Sequence, residues 1–465
     1  MRREAITSRW WVAGSVLVVM SVAAGVYLST LAPSLTWAHQ GADGGDLAAA
    51  VATRGIPHPS GYPTYILLGQ LFALLPWGDL AHRLNVMSAA FAVLTVGLVD
   101  LILLQTLRTF GDEEDSWPRP IVAAAGALAL AVSPLFWSQS LITEVHTLHA
   151  FFVALLIYLP LRWTEQPSPR RLAAAALAAG LGLGNHLTLI LLAPTILVLL
   201  WPHRSRLPSS LGGTAGVVLP FLLGLGVYAY LPLRASRTPP INWGDPRTLE
   251  GFLWTVTGRA YRPYIFALPL RHLPGRLAAW SRLLVDQFGW WGLLPGIVGF
   301  GSLWRRARSF ALATLLLVFA TSLYALGYDT ADSHLYLIPA YLAFAVWLAW
   351  GLDWTRSWLP QQHGFRVHAL SVFALTLVLV LPSLLIHFDR LDLSGDHKAR
   401  DYGEAALSAA APNALLISST DRHTFTLWYH HYAVKQRPDA AVVDDALLAY
   451  PWYRRTLSHN HPDLA

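Results

Sequence analysis

The feature that most constrains this chain is a series of long apolar runs with few charges inside them. They cover 10–32, 84–107, 119–138, 146–162, 171–186, 187–201, 211–233, 287–304, 309–327, 335–353 and 367–388. About 20 apolar residues in a helix cross the hydrocarbon of a bilayer. Inside it every backbone N–H and C=O must be satisfied within the protein, which selects helices. The runs therefore predict an all-α polytopic membrane protein with a bundle of about 11 transmembrane helices. The pair meeting at Asn185 is short and suggests a tight hairpin. The run 62–77 is bounded by prolines and reads as a re-entrant or interfacial segment.

Composition agrees. Charged residues are 13 % of the 465, where a soluble protein carries roughly 25 %. A soluble enzyme, a disordered chain and a secreted disulfide scaffold are excluded. The chain has no cysteine, so it has no thiolate nucleophile and no Cys-ligated metal. The formal net charge is +6, which on such a chain reflects cytoplasmic loops and not nucleic-acid binding. Trp10–Ala32 is too long for a signal-peptide core and reads as a retained first span.

Basic residues set the orientation. Arg2, Arg3 and Arg9 precede the first span. Alternating from there, the inner loops carry Arg108 and Arg119; Arg162, Arg170 and Arg171; Arg204 and Arg206; Arg305, Arg306 and Arg308; Arg356 and Arg366. The short outer loops 139–145 and 328–334 carry no Arg or Lys. This predicts a cytoplasmic N-terminus and an extracytoplasmic C-terminus. The Arg-over-Lys, Ala/Leu-rich usage fits a bacterial inner or plasma membrane. The chain then divides into a transmembrane domain, 1–388, with outer loop one at 33–83 and a long outer loop at 234–286, and a small α/β tail, 389–465. In the tail Ala414–Ser418 and Ala440–Val443 read as strands, and Asp401–Ala411 and Phe425–Ala433 as helices.

This topology sorts the polar residues. Asp43, Asp46, His58, Glu144, His146, Asn185, His186, Asp329 and Asp332 gather at the outer ends of the helices, while the inner face holds mainly Arg. Ionisable groups at a membrane are costly and mark functional sites. Asp43 leads a short amphipathic helix of about three turns, roughly 16 Å long. It reads equally as an N-cap and as a rigidly held carboxylate, and Asp46 also suits the helix dipole. His58 and Tyr62 lie in the Pro/Gly-rich stretch Gly55–Pro63. Glu144 and His146 end the fourth span on different faces. His146 and His149, at i, i+3, are too few for a metal signal on their own. Asn185 suits a left-handed turn. Asp329 or Asp332 is placed to cap the tenth span. Asn242, Trp243, Arg259 and Arg262 belong to an aromatic and basic long loop that suits an interfacial lid, sugar stacking or phosphate binding.

Several stretches, in this order, resemble one family: Asp43–Pro63; Arg83-Leu84-Asn85 through Ser88; Thr143-Glu144-Val145; Asn185-His186-Leu187-Thr188; Asn242 through Pro246; Tyr328-Asp329 with Asp332; Thr424-Phe425 through Tyr429; Arg437-Pro438-Asp439; and Pro451-Trp452-Tyr453. The family is that of domain of unknown function 2723, glycosyltransferase family 117, whose eukaryotic relatives are transmembrane protein 260-like O-mannosyltransferases. Two departures stand out. His146 replaces an expected Tyr, and the tail reads Asp421-Arg422-His423 where the family has an Asp/Asn pair.

The resemblance implies the GT-C fold, with a polyprenyl-phosphate-linked sugar as donor and a first-loop acid as base. On that reading Asp43, Asp46 and Glu144 form the catalytic set. His58, Tyr62, His146, Asn185, His186, Asn242, Trp243, Arg259, Arg262, Asp329 and Asp332 bind substrate and phosphate. The expected partners are the donor, a protein or glycan acceptor and the lipid bilayer. No cofactor is required, because the donor carries its own leaving group; a divalent cation, Mg or Mn, is compatible with Asp43, Asp46, Asp329 and Asp332 as oxygen ligands. The alternatives are a transporter or lipid flippase, which calls for ionisable groups at the bilayer midplane and repeated broken helices, and a non-catalytic membrane assembly protein.

Overall fold

The computed structural model describes residues 2–111, 118–358 and 364–464. The side chains of Arg2, Arg3, Arg9 and Arg356, used above for orientation, lie outside the described residues. Among the described residues nine helices are long and apolar enough to cross a membrane: Trp10–Thr30, Leu80–Phe110, His146–Glu165, Leu187–Arg206, Leu211–Ala235, Leu270–Arg306, Arg308–Gly327, Ser333–Trp354 and Phe365–Leu391. The other two sequence-predicted spans also form helices, Arg119–Ala131 and Pro169–Leu183, but of only 13 and 15 residues. Pro134 opens a new helix just after the first of them, and Gly184 ends the second. The fold is that of a polytopic helical membrane protein.

Ser333–Trp354 is the central helix, 94 % buried over its apolar window, while Leu211–Ala235 is peripheral at 11 %. Apolar burial gives no net drive between helices in lipid, so close approach depends on small residues. A Cβ on Gly299 would overlap the Trp347 carbonyl, and one on Gly351 the Pro295 carbonyl. The helix Leu273–Arg306 therefore crosses Ile338–Trp354 backbone to backbone. Gly180 and Gly224 do the same for Pro169–Leu183 and Leu211–Leu225.

At one end of the bundle loop one folds inward. Its helix Gly44–Thr53 is buried from Gly44 to Val51. The next helix, Pro63–Phe72, is ten residues long, about 15 Å, and does not span. Thr64 fixes its start: its N–H donates to the Gly184 carbonyl at 3.1 Å, and its hydroxyl to that of Leu181 at 2.7 Å. Asn85 ties two loop segments to its own helix. Its Nδ2 donates to Ala32 and Ser34 carbonyls, both at 3.0 Å, and its Oδ1 accepts from the Thr143 hydroxyl at 2.7 Å. The Arg83-Leu84-Asn85 motif is thus scaffolding, with Arg83 closing the turn through the Ala73, Trp77 and Gly78 carbonyls.

The tail has two parallel strands, β1 (Leu415–Ser418) and β2 (Ala441–Asp444), with Leu415 opposite Ala441. Helices Lys398–Ala409, Asp421–Trp428 and Pro451–Asn460 surround them. The tail closes onto loop one. Trp37 Nε1 donates to the Thr426 hydroxyl at 2.9 Å and to the Arg422 carbonyl at 3.1 Å. A Cβ on Gly45 would overlap the Phe425 carbonyl, so helix Asp421–Trp428 lies directly on helix Gly44–Thr53. Overpacking of this kind costs about 1–3 kcal/mol. We expect Gly45→Ala to loosen the tail, seen as faster limited proteolysis within 389–465 and a lower unfolding temperature in detergent. An unchanged digestion pattern would contradict this seating.

Candidate functional site

The short helix Gly44–Thr53 ends in a left-handed residue, Arg54, at φ 51°. The chain then turns back, and Ile56 pairs with the long loop: its N–H donates to the Ile241 carbonyl at 2.8 Å, and its carbonyl accepts from the Trp243 N–H at 3.1 Å. Gly55 is required here, because a Cβ would strike the Ile241 carbonyl. This bridge delivers His58 from one loop and Trp243 from the other to the same carboxylate. Asp46 Oδ2 accepts from the His58 N–H and from His58 Nδ1, both at 2.8 Å. Asp46 Oδ1 accepts from Trp243 Nε1 at 3.1 Å. Asp46 is fully buried.

The other ring nitrogen, His58 Nε2, stands 3.5 Å from Asp43 Oδ2. The result is a carboxylate–imidazole–carboxylate array in which only Asp43 is open, with 41 % of its side-chain surface accessible. Asp43 does not cap its helix, since no side-chain cap bond forms; its carboxylate is turned toward His58. Burial opposes the charged form of His58, but Asp43, the Asp46 hydrogen bond and the Asp46 charge outweigh it and raise the pKa to about 9. Desolvation pushes the Asp43 pKa up to about 6 against the pull of His58. Asp46, Asp421 and Asp332 add to the rise.

Glu144 lies in the turn before helix His146–Glu165, not on it. One carboxylate oxygen accepts from the Val145 N–H at 3.3 Å. Burial first, and the Asp43 charge second, hold its pKa well above the usual carboxylate range. Both carboxyls are thus held above the ordinary range, Asp43 against the pull of His58 and Glu144 chiefly by its own burial.

Aromatic rings line the space around His58: Tyr62 at 5.0 Å between centroids, Trp243 at 6.2 Å and Tyr261 at 6.5 Å. Tyr62 also faces His186 at 6.2 Å. His186 in turn lies 5.8 Å from His146 and 5.1 Å from His149. Its Nδ1 accepts from the Thr188 N–H at 3.3 Å. The proton of the neutral ring is therefore on Nε2, and burial keeps the ring neutral by lowering its pKa to about 3. Asn185 is not left-handed; it is buried, and its Nδ2 donates to the Val145 carbonyl at 3.2 Å, holding the turn behind Glu144.

Other expected residues are placed differently. Arg259 and Arg262 are exposed and flank Tyr261, the residue that packs on His58. Asn242 donates to Asp245 at 3.3 Å, which is itself held by Arg247 at 2.7 Å and Arg455 at 3.4 Å. Asp329 and Asp332 cap no helix through their side chains; Asp329 pairs with Arg276 at 3.6 Å. Arg276 lines a cavity of ≈ 410 Å³ with Trp280, Leu283, Ala325 and His334. Among the described residues no three His, Asp or Glu side chains are arranged to hold a metal ion.

Three residues escaped the sequence reading: Tyr261, Arg276 and Asp421. Tyr261 sits between the two arginines that drew attention, and Asp421 was visible only as a departure from a motif. The tail's aromatic motifs also gain a role. Phe425, Trp428 and Trp452 surround Trp243 at 6.2, 6.4 and 5.4 Å, so the tail braces the indole that holds Asp46.

A multi-helix bundle with an acid–imidazole array at one end, covered by an α/β tail, defines the class: a polytopic membrane protein of the GT-C fold. Comparisons agree. The structure resembles ArnT from Cupriavidus metallidurans, solved with undecaprenyl phosphate, at TM-score 0.58 and 14 % identity over 94 % of this chain and 91 % of that one. It also resembles AglB from Archaeoglobus fulgidus, solved with an inhibitory peptide and a dolichol-phosphate, at TM-score 0.51 and 12 % identity over 93 % and 65 %. Residues 43–209 match the Protein O-mannosyl-transferase TMEM260 N-terminal domain, and 399–462 the TMEM260-associated domain 2. These two stretches cover part of the chain, one in its first half and one at its C-terminal end. The chain is 26 % identical to the mouse protein O-mannosyl-transferase TMEM260 and 23 % to the Dictyostelium discoideum one, over 97 % and 93 % of its length. It spans 65 % and 57 % of those relatives.

The array makes a prediction independent of activity. Asp46→Asn and Asp43→Asn should each lower the His58 pKa from about 9 toward the ordinary value, as read by NMR titration of ring-labelled histidine in micelles. Titration of His58 near its wild-type midpoint in both variants would break the array.

Proposed function

We propose that this chain is a membrane glycosyltransferase. It moves a sugar, mannose by analogy with its named relatives, from a polyprenyl-phosphate-linked donor to a hydroxyl of a protein or glycan acceptor. The observation that carries the reading is the open carboxylate of Asp43 beside a protonated His58 that a sealed Asp46 locks in place. A hydroxyl is a weak nucleophile and needs a base within hydrogen-bond reach. Asp43, with a pKa of about 6, is ionised at neutral pH and more basic than an ordinary aspartate.

The acceptor oxygen attacks the anomeric carbon opposite the phosphate, so a carbon–oxygen bond forms and the anomeric bond to the phosphate oxygen breaks, with inversion. The acceptor proton goes to Asp43. The polyprenyl phosphate leaves as an anion and needs donors, not an acid. His186 Nε2–H and Arg276 are suited to it, with the cavity beside Arg276 open for the lipid. Glu144, whose burial favours its protonated form, contacts the sugar. Asp46 and Trp243 are positioning residues. A cytoplasmic N-terminus puts the site at the extracytoplasmic face. Asp43, Asp46, His58, Glu144, His146 and His186 gather at one end of the bundle and not at its midplane, which favours transfer over the transporter alternative.

The test is transfer from radiolabelled polyprenyl-phosphate-mannose by purified protein, with and without chelator, beside a membrane extract supplying acceptors. Asp43→Asn should lose at least about 100-fold in rate while the protein remains folded. The rate of the wild type should rise as Asp43 ionises through pH of about 6 and fall as His58 loses its proton near 9; these midpoints belong to the coupled array. A pH-independent rate, or full activity in Asp43→Asn, would remove Asp43 as the base.

A further inference from the structure

A second cavity, ≈ 430 Å³, lies in the tail away from the transfer site. Its floor is the chain from Leu416 to Thr420, and its walls are Tyr402, Ala406, His423 and Leu427. The sheet has two strands, so β1 has an unpaired edge. The Ala441 N–H donates to the Ala414 carbonyl and that of Asp445 to Ser418. In a parallel ladder this turns the backbone of 414, 416 and 418 toward β2, and the N–H and C=O of Leu415 and Ile417 outward. β2 is buried along its length. Leu415 and Ile417 are 48 % and 64 % exposed, and β1 carries neither the charges nor the proline that usually protect a strand edge.

The groove borders loop one, which carries Asp43 and Asp46. Tyr402 and His423 stack at 4.7 Å, and both pack on Trp37 of loop one, at 5.3 and 5.4 Å. Just past β1 the chain reaches Asp421, close enough for its charge to be felt at Asp43. We propose, building on the transferase reading, that the open edge of β1 docks the acceptor as an extended polypeptide by strand addition and leads a Ser or Thr hydroxyl toward Asp43. Alternating backbone donors and acceptors flanked by apolar side chains complement a peptide backbone.

The experiment uses the full chain in nanodiscs and a short fluorescein-labelled peptide of Thr, Ser and Val with lysine ends. Binding is read by anisotropy and sugar transfer separately. Ile417→Pro removes an outward N–H and leaves the ladder to β2 intact. It should weaken peptide binding roughly tenfold, equivalent to about 1.4 kcal/mol, and raise KM with kcat unchanged. Peptides N-methylated at alternate residues should bind the wild type as weakly, which decides the matter even where the proline variant fails to fold. Equal affinity for methylated and unmethylated peptides, no peptide binding at all, or binding of a mannan oligosaccharide in its place would overturn the proposal. Backbone-dependent peptide binding without sugar transfer would support the docking edge and sink the transferase reading.

Discussion

A carboxylate buried without partners is among the costliest groups a fold can carry, and the site end of the bundle is organised around meeting that cost at Asp46. Three N–H donors do so, two from His58 and one from Trp243. They come from separate loops, so neither loop can shift without stranding the charge. Breaking such a pairing leaves an uncompensated buried ion, which is far worse than never having built it. The array is therefore a geometric lock as well as an electrostatic one.

The lock extends through the tail. Trp243 stands among Phe425, Trp428 and Trp452, and helix Asp421–Trp428 rests on the helix carrying Asp46 at the glycine contact. The tail thus contributes to the site without supplying one of its hydrogen bonds to Asp46. A small α/β unit with little core of its own is steadied in return by the aromatic surface of the two loops.

Much of this was legible in the sequence. Nine of the eleven apolar runs lie in helices long enough to cross and the other two in shorter ones, and the tail strands fall within a residue of their predicted ends, because apolar periodicity and β-branched or apolar runs are local signals. Asp43, Asp46, His58, Glu144 and Trp243 were also visible, since ionisable and polar-aromatic residues at helix ends stand out from an apolar background. Their division of labour was not. Asp43 and Asp46 are one helical turn apart and chemically identical, and only the path of 55–58 decides which of them is sealed. The capping role expected of Asp43 gave way to the tertiary pull of His58, and the turn expected at Asn185 to a buried hydrogen bond. Tyr261 and Arg276 were hidden because their partners lie far away in sequence.

The contrast between the acids bears on mechanism. Asp46 is fully buried, and its carboxylate already accepts three N–H donors. Burial favours the protonated form of Glu144. Asp43 alone combines exposure, charge and raised basicity. His58 links these properties: its charge keeps Asp43 ionised in a recess that otherwise favours the neutral acid, and its own charge persists because Asp46 lies behind it. Remove Asp46, and the imidazolium weakens; weaken the imidazolium, and Asp43 takes up a proton more readily. A sealed carboxylate therefore bears on the protonation state of the open one.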